Sequence, residues 1–421
     1  MTEATNPPGY HPLAILAFTL FSFALVDGIL PQAQMSLLGG KIVMTNAIFR
    51  LIILAILLFG CLIHPKIRFA GIPIFPWLLC LGFLIADIPH LVFSHGMSLV
   101  EVLMSYSEYY LLLLAGPAAL CFRNTISEKV VVRYVVILLL MCAMIGIAQY
   151  WTQQPILHTE SSDGKFEVYS SDFIGDQRAF SLFTSGLGFG LFCAFTGALG
   201  VALLRSHRKA AALLLALSAI ACFATLTRLC YLVFACACIC SLVLTFGKSP
   251  KRGLWFPLVF LALAIATILS GLRSSLSGNA SNLQDTGSLL ERLENWAYYW
   301  SLFSRAPVVD KLLGMGITLT QKNTMPIDNV LLALIMHIGI IGLVLFSILL
   351  IRMWLHLRQQ ALSTQQPFFI AAASLWATFA CAGIFNIILI QLGAIFAMAV
   401  LCKQRDVEPP LPLLINSQNI L

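Results

Sequence analysis

Runs of about twenty apolar residues recur along almost the whole chain, and nothing constrains its fold more. A helix needs about 20 mostly apolar residues to cross a bilayer's hydrocarbon core. Twelve stretches of the 421-residue sequence qualify: 12–30, 46–63, 73–93, 103–122, 130–151, 179–204, 210–227, 229–247, 254–272, 328–352, 367–384 and 385–402. The chain is 59% hydrophobic and only 10% charged, whereas an ordinary soluble protein is about 25% charged. No water-soluble core of this size hides so much apolar surface, which excludes a soluble enzyme, a secreted disulfide scaffold and a disordered chain. The sequence therefore predicts an all-α polytopic membrane protein of about 12 transmembrane helices, with residues 1–421 as one integral membrane domain. The opening MTEATNPPGYHP lacks the basic start of a signal peptide, so the first run is expected to stay as a span. Runs 210–227 and 229–247 are separated by little more than TLTR and are read as a hairpin with Arg228 at its tip.

Basic residues in short loops orient such a chain. With the N-terminus in the cytoplasm, the inner loops carry Lys66 and Arg68, then Arg123 and Lys129, then Arg205, Arg208 and Lys209. They continue with Lys248, Lys251 and Arg252, then Arg352 and Arg358, and finally Lys403 and Arg405. Both termini are then cytoplasmic. These loops account for the formal charge of +7 without nucleic acid, for which no binding motif is present. Two long loops, 152–178 and 273–327, fall on the outer side. The first is acidic, with Glu160, Asp163, Glu167, Asp172 and Asp176. Within the second, Leu289, Leu290, Leu293, Trp296, Ala297 and Trp300 recur at helical spacing, the pattern of an amphipathic helix at a membrane interface. Long outer loops over a bundle are where function usually sits.

The twelve cysteines all lie in or beside apolar runs, with no CxxC pair. They read as small hydrophobes rather than as disulfides or metal ligands. There is no GxxxxGK[ST], HExxH or GxSxG. No metal and no cofactor are expected, and the energy for any reaction must come from the substrate or a gradient. Gly186, Gly188 and Gly190 lie inside an apolar run, where small residues let helices approach closely.

Four arginines fall on or near the outer side: Arg178, Arg228, Arg292 and Arg305. Arg228 lies between two apolar runs with no acid nearby in sequence, so it is a functional candidate; the alternative is a helix-end arginine snorkelling to head groups. Arg178, beside Asp172 and Asp176, reads as a local ion pair. Guanidinium is suited to gripping phosphate, because its planar fork makes two parallel bonds and stays charged. Several such groups on the outer face suit a lipid-linked diphosphate. Asp328 and Asn329 open a long apolar helix. Asp328 is explained structurally as a helix cap, or functionally as a general base or a group orienting a sugar hydroxyl. His337 is read as a helix–helix hydrogen bonder inside the span. Asp27, Asp87, His90 and Glu108 are further polar groups near span ends, and ADIPH (86–90) carries a proline that would free backbone groups; they read as ordinary polar residues at span ends or, alternatively, as a proton or ion path.

Four pieces together resemble the O-antigen ligase/polymerase superfamily of bacterial membrane glycosyltransferases. They are QRAFSLFTSGLGFG (177–190), TLTRLCYLV (225–233), SLLERLENWAYYWSLFSRAPVVDKLLGMG (288–316) and DNVLLALIMHIGIIGLVLF (328–346). The resemblance covers 180–402 in order and spacing, and the earlier spans in hydropathy. It implies a GT-C-like bundle whose large outer loop, 273–327, is partly helical and caps a cavity at the membrane surface. It also implies metal-independent, inverting transfer of a glycan from undecaprenyl diphosphate, with Arg228 and Arg292 on the diphosphate. Asp328 and Asn329 would be catalytic, and Arg178, Arg305 and His337 weaker glycan or acceptor contacts. Ligases of this superfamily carry His-Asn where this chain has Asp328-Asn329, and the Asp-Asn form is similar to the Wzy-type polymerases of O-antigen, capsule and exopolysaccharide. The expectation is a polymerase in the bacterial inner membrane, its site facing the periplasm, with a chain-length regulator and a flippase as partners. The alternatives are an O-antigen ligase acting on lipid A core and, from another class, a secondary transporter or flippase.

Overall fold

The computed structural model describes residues 12–26, 29, 32, 33, 74–99, 102, 125–154, 178–183, 185–249, 251, 253–276, 283–316, 329–385 and 389–403. Apart from turns and one isolated bridge, their regular structure is helical. The elements are α1 (Pro12–Leu25), α2 (Ile74–His95), α3 (Glu128–Thr152), α4 (Gly186–Leu203), α5 (Arg208–Ala224) and α6 (Arg228–Phe246). They continue as α7 (Phe256–Leu276), α8 (Leu283–Arg305), α9 (Val308–Leu313), α10 (Val330–Thr364), α11 (Pro367–Phe385) and α12 (Leu389–Leu401). Among the described residues, Phe75–His95, Glu128–Thr152, Gly186–Leu203, Arg228–Phe246 and Val330–Thr364 are long and apolar enough to cross a membrane. Residues 256–266, 367–378 and 391–401 are shorter apolar helices. The expected spans 46–63 and 103–122 lie outside the described residues, so these helices support a helical membrane protein without establishing twelve crossings.

The centre of the bundle is α4. Every residue from Gly186 to Ala202 is buried, and α4 packs against α5, α6 and α11. In lipid there is no water to squeeze helices together, so association depends on close backbone approach at small residues. The glycines of α4 supply it. A side-chain carbon at Gly190 would collide with Cys230, one at Gly197 would lie 2.5 Å from the Phe234 ring, and one at Gly200 would lie 3.1 Å from the Leu215 backbone nitrogen. The close-approach reading of the glycine run is thus what the structure contains. The expected hairpin is also present as α5 and α6, but both helices pack mainly on α4 rather than on each other.

Segments that the basic-loop pattern puts on one side do meet. Thr125 and Ile126 donate backbone bonds to Leu401 O (3.1 and 2.9 Å), and Lys403 donates to Ile126 O at 2.6 Å. Gln366 Nε2 donates to Lys403 O at 3.0 Å, and the Phe368 amide to Glu128 Oε1 at 3.4 Å.

Two expected spans are corrected. The run 179–204 is helical only from Gly186; residues 179–183 form a buried turn, with Ser181 at φ 53°. The run 328–352 extends as α10 to Thr364 and is broken at Gly339 (φ 64°, ψ −171°). The first segment, 330–338, is too short to span a bilayer; 340–364 is long enough by the usual rise per residue. Val330 and Leu331 line the same cavity as Leu350, Ile351 and Trp354. A straight helix would separate Leu331 from Leu350 by about 28 Å, so the chain corners at Gly339.

Gly190→Ala is expected to destabilise the detergent-purified protein by about 1–3 kcal/mol through overpacking. Gly82→Ala, where a side-chain carbon meets nothing within 4 Å, should leave the melting temperature unchanged or raised. Equal melting of the two variants would contradict the central role of α4.

Candidate functional site

The turn before α4 is held by buried polar side chains. Gln149 of α3 accepts from the Ser181 and Phe180 amides through Oε1 (2.7 and 3.2 Å) and donates to Ser181 O through Nε2 (3.3 Å). Gln32 Nε2 donates to Phe183 O at 3.1 Å, and Ser181 Oγ to Cys142 O at 2.7 Å. At the start of this turn, the Ala179 amide donates to Ala224 O at 3.1 Å. That bond ties Arg178 to the turn between α5 and α6. A side-chain carbon at Gly186 would lie 3.3 Å from Ala179 O, 3.5 Å from Thr225 O and 3.6 Å from Arg178 Cβ. The N-termini of α4 and α6 and the Arg178 segment therefore converge.

Each helix N-terminus presents free amide groups and about half a positive charge, which favours anions. At α4, Ser185 Oγ accepts from the Gly188 amide at 3.2 Å. At α6, the cap residue Thr227 makes no side-chain bond to the helix start; its hydroxyl donates instead to Thr225 O at 2.9 Å. Thr225 in turn donates to Cys222 O at 2.7 Å, and Leu226 takes a left-handed φ of 47°. This turn delivers Arg228, the first residue of α6, to the surface, where it is exposed. Arg178 is half-buried, and its Nε is buried without a hydrogen-bond partner among the described residues. Two arginines and two helix N-termini thus share one end of the bundle. The arrangement can receive a multiply charged anion. Asp172 and Asp176, the expected partners of Arg178, lie outside the described residues.

Arg292 lies on α8. The buried stripe of this helix runs through Asn295, Tyr299 and Phe303, and Arg292, three residues before Asn295, shares its face. Tyr299, fully buried, and Phe303 pack with Met315 and with Met336 of α10, and burial raises the Tyr299 phenol above its ordinary pKa. The expected helix is present. Ala297 and Trp300 point outward, with Trp300 57% exposed, because α10 takes the 295/299/303 side. Exposed Trp300 still suits a membrane interface. Arg305 is exposed at the end of α8, where the helix dipole by itself favours a cation. Arg228 and Arg292 stand on helices with different principal neighbours: α6 on α4 and α11, α8 on α7 and α10.

Asp328 lies outside the described residues. The cap of α10 is Asn329, whose Oδ1 accepts from the Leu331 and Leu332 amides at 2.9 and 3.1 Å. The capping role weighed for Asp328 thus belongs to its neighbour. Beside Asn329 begins an apolar cavity of about 240 Å³, lined by Val330, Leu331, Leu261, Leu350, Trp354 and Trp376 among others. His337 is buried before the corner at Gly339, so it lies in the short first segment of α10 rather than within the segment long enough to span. There the segment after α9 docks backbone to backbone. The Met315 amide donates to Met336 O at 2.8 Å. Gly314 (φ 103°) abuts the His337 carbonyl, and Gly339 abuts the Leu312 carbonyl. Gln149, which positions Arg178, was not singled out from sequence; a lone glutamine inside an apolar run was the available signal. Glu108 and Asp27 lie outside the described residues, and Asp87 is buried.

The fold and these features define a helical membrane protein with an anion-receptive end. A family model described as O-Antigen ligase matches residues 213–347. The match covers about a third of the chain; over that segment the chain is similar to the O-antigen ligase family, which supports the O-antigen ligase/polymerase resemblance. Comparison with curated proteins finds no match.

Gln149→Leu would strand the Phe180 and Ser181 amides and should cost about 1–3 kcal/mol of stability. Thermal unfolding of the purified variant measures it; an unchanged melting temperature would show that the turn is held otherwise. Gly339→Ala would press a side chain onto the Leu312 carbonyl at a positive φ. Limited proteolysis should then cut between residues 283 and 316 faster than in the wild type, and an unchanged rate would contradict the docking.

Proposed function

We propose that the chain is a polymerase of lipid-linked polysaccharide repeat units in the bacterial inner membrane, working on its periplasmic side. The observation that carries this reading is that the O-antigen ligase match, 213–347, contains Arg228, Arg292, Asp328 and Asn329 together. A growing glycan on undecaprenyl diphosphate is the donor, and a sugar hydroxyl of a lipid-linked repeat unit is the acceptor. Arg228 and Arg292 hold the diphosphate, assisted by Arg178 and the open N-terminus of α6. Fixed positive charge there stabilises the leaving group as negative charge develops. Asp328 accepts the proton of the attacking hydroxyl. The hydroxyl oxygen bonds to the anomeric carbon from the face opposite the phosphate, and the anomeric carbon–oxygen bond to phosphate breaks. Undecaprenyl diphosphate departs with the electron pair and the configuration inverts. The broken anomeric phosphate bond supplies the driving force, so the step needs no nucleotide, and the arginines neutralise the leaving group in place of a metal. The apolar cavity beside Asn329 offers room for the first part of the polyprenyl chain. Arg305 and His337 are left to glycan contact or structure.

Asp-Asn at 328–329, where the ligase branch has His-Asn, favours polymerase. The description of the matching family favours a second reading, an O-antigen ligase with lipid A core as acceptor. Deleting the gene separates the two: loss of a polymerase leaves single repeat units on the carrier, and loss of a ligase leaves long chains stranded on it. A transporter or flippase would instead show substrate movement across vesicles with glycan length unchanged.

Arg228→Ala and Arg292→Ala should each lower chain extension by about 100-fold, the order found when one transition-state donor is removed. Asp328→Asn should abolish it while Asn329 still caps α10. Glycan ladders on gels from complemented null strains read all three. Normal long chains in either arginine variant would end the diphosphate clamp, and normal chains with Asp328→Asn would end the general base.

A further inference from the structure

Two imidazoles at the end of α2 and a carboxylate of α9 meet apart from the arginines and the start of α10. His90 Nε2 and His95 Nε2 each lie 3.4 Å from Asp310 Oδ1, and the three atoms all lie within 4.8 Å of one another. The rings meet edge to face, with centroids 5.1 Å apart. The side chains are largely shielded, at 9%, 15% and 15% exposure. His90 Nε2 also lies 3.1 Å from the Gly314 carbonyl oxygen. His95 Nε2 is buried and makes no hydrogen bond among the described residues.

One ordinary hydrogen bond, from His90 Nε2 to the Gly314 carbonyl, is present and would yield to a metal as the ring proton moves to Nδ1, but hydrogen bonding explains the two contacts to Asp310 poorly. A charge-assisted N–H···O bond closes to about 2.7–2.9 Å, and both contacts to Asp310 stop well short of that. Donor atoms around a tetrahedral zinc ion, each about 2.0–2.1 Å from it, stand about 3.3–3.5 Å apart. The two 3.4 Å spacings have that size. Two imidazoles with one carboxylate and no thiolate are a donor set suited to zinc and its borderline neighbours.

We propose that His90, His95 and Asp310 form a binding site for a divalent transition metal of the zinc class, coordinated through the two Nε2 atoms and Asp310 Oδ1. The Gly314 carbonyl or a water completes the coordination. The site is structural. It ties α9, within the outer loop, to the end of α2. From there Gly314 passes to the Met315–Met336 backbone bond and the corner of α10. The metal thus fixes how the loop sits over the start of α10. None of its ligands belongs to the proposed diphosphate clamp, so the site stands or falls independently of the polymerase reading. Nine described cysteines are free, which makes ligand variants essential to the test.

The experiment uses the full chain purified in detergent, stripped with chelator and titrated with zinc chloride or cobalt chloride. The expected result is about one tightly held zinc per chain by elemental analysis. Cobalt should give the intense visible bands of a tetrahedral site, and zinc should raise the melting temperature by several degrees. Asp310→Asn and His95→Asn should each lose the metal, the cobalt bands and the zinc-dependent shift while eluting as monodisperse protein. Wild-type protein that retains no zinc and shows no shift would overturn the site. Variants that keep the metal in full would also overturn it by assigning the metal to cysteines. Should both variants aggregate, the wild-type cobalt spectrum decides: tetrahedral nitrogen–oxygen bands support the site, and thiolate charge-transfer or octahedral bands overturn it.

Discussion

The architecture depends on backbones approaching one another without side chains between them. Helices in lipid gain little from hydrophobic exclusion, so the bundle organises around the helix that lets its neighbours come closest. That helix is α4, buried from Gly186 to Ala202. The same device recurs after α9, where Gly314 and Gly339 bring the end of the 283–316 segment against the corner of α10. Both contacts have consequences for chemistry. The first brings the starts of α4 and α6 together with Arg178; the second fixes the loop beside the helix that Asn329 opens.

Charge follows from this packing. A guanidinium in an apolar bundle is costly unless solvated or paired, yet the Arg178 Nε is buried without a hydrogen bond among the described residues. It sits where two helix N-termini add their own positive potential. A diphosphate would supply a countercharge there, and the apolar cavity at Val330 and Leu331 would supply a place for a hydrocarbon tail. An anionic head on an apolar chain is the ligand chemistry these two features call for.

What could be read from the sequence was periodic or local. Apolar runs of bilayer length marked the helices, the TLTR break marked the α5–α6 turn, and the glycine run marked the closest packing. Residues 179–183 were mistaken for helix because apolar residues in a buried turn look the same as those in a span; only Gln149, contributed by another helix, distinguishes them. On α8 the apolar stripe was legible from its spacing, whereas the 295/299/303 side that α10 covers was not, because a neighbour rather than periodicity decides it. Extension of α10 to Thr364 was hidden by Arg352 and Arg358, which ended the apolar run without ending the helix. Among the candidate site residues, the arginines were legible as charges in an apolar setting. The gathering of His90, His95 and Asp310 was not, since no spacing in a chain reports contacts between residues so far apart.

The central claim is that this chain moves glycan from a polyprenyl diphosphate onto another lipid-linked glycan. Reconstituting the purified protein in liposomes with an undecaprenyl-diphosphate-linked repeat unit, and with no nucleotide, tests it most directly. The account predicts products lengthened by whole repeat units and one free undecaprenyl diphosphate released per linkage. Repeat units recovered unextended by active, correctly folded protein, whether left in place or carried across the bilayer, would contradict it.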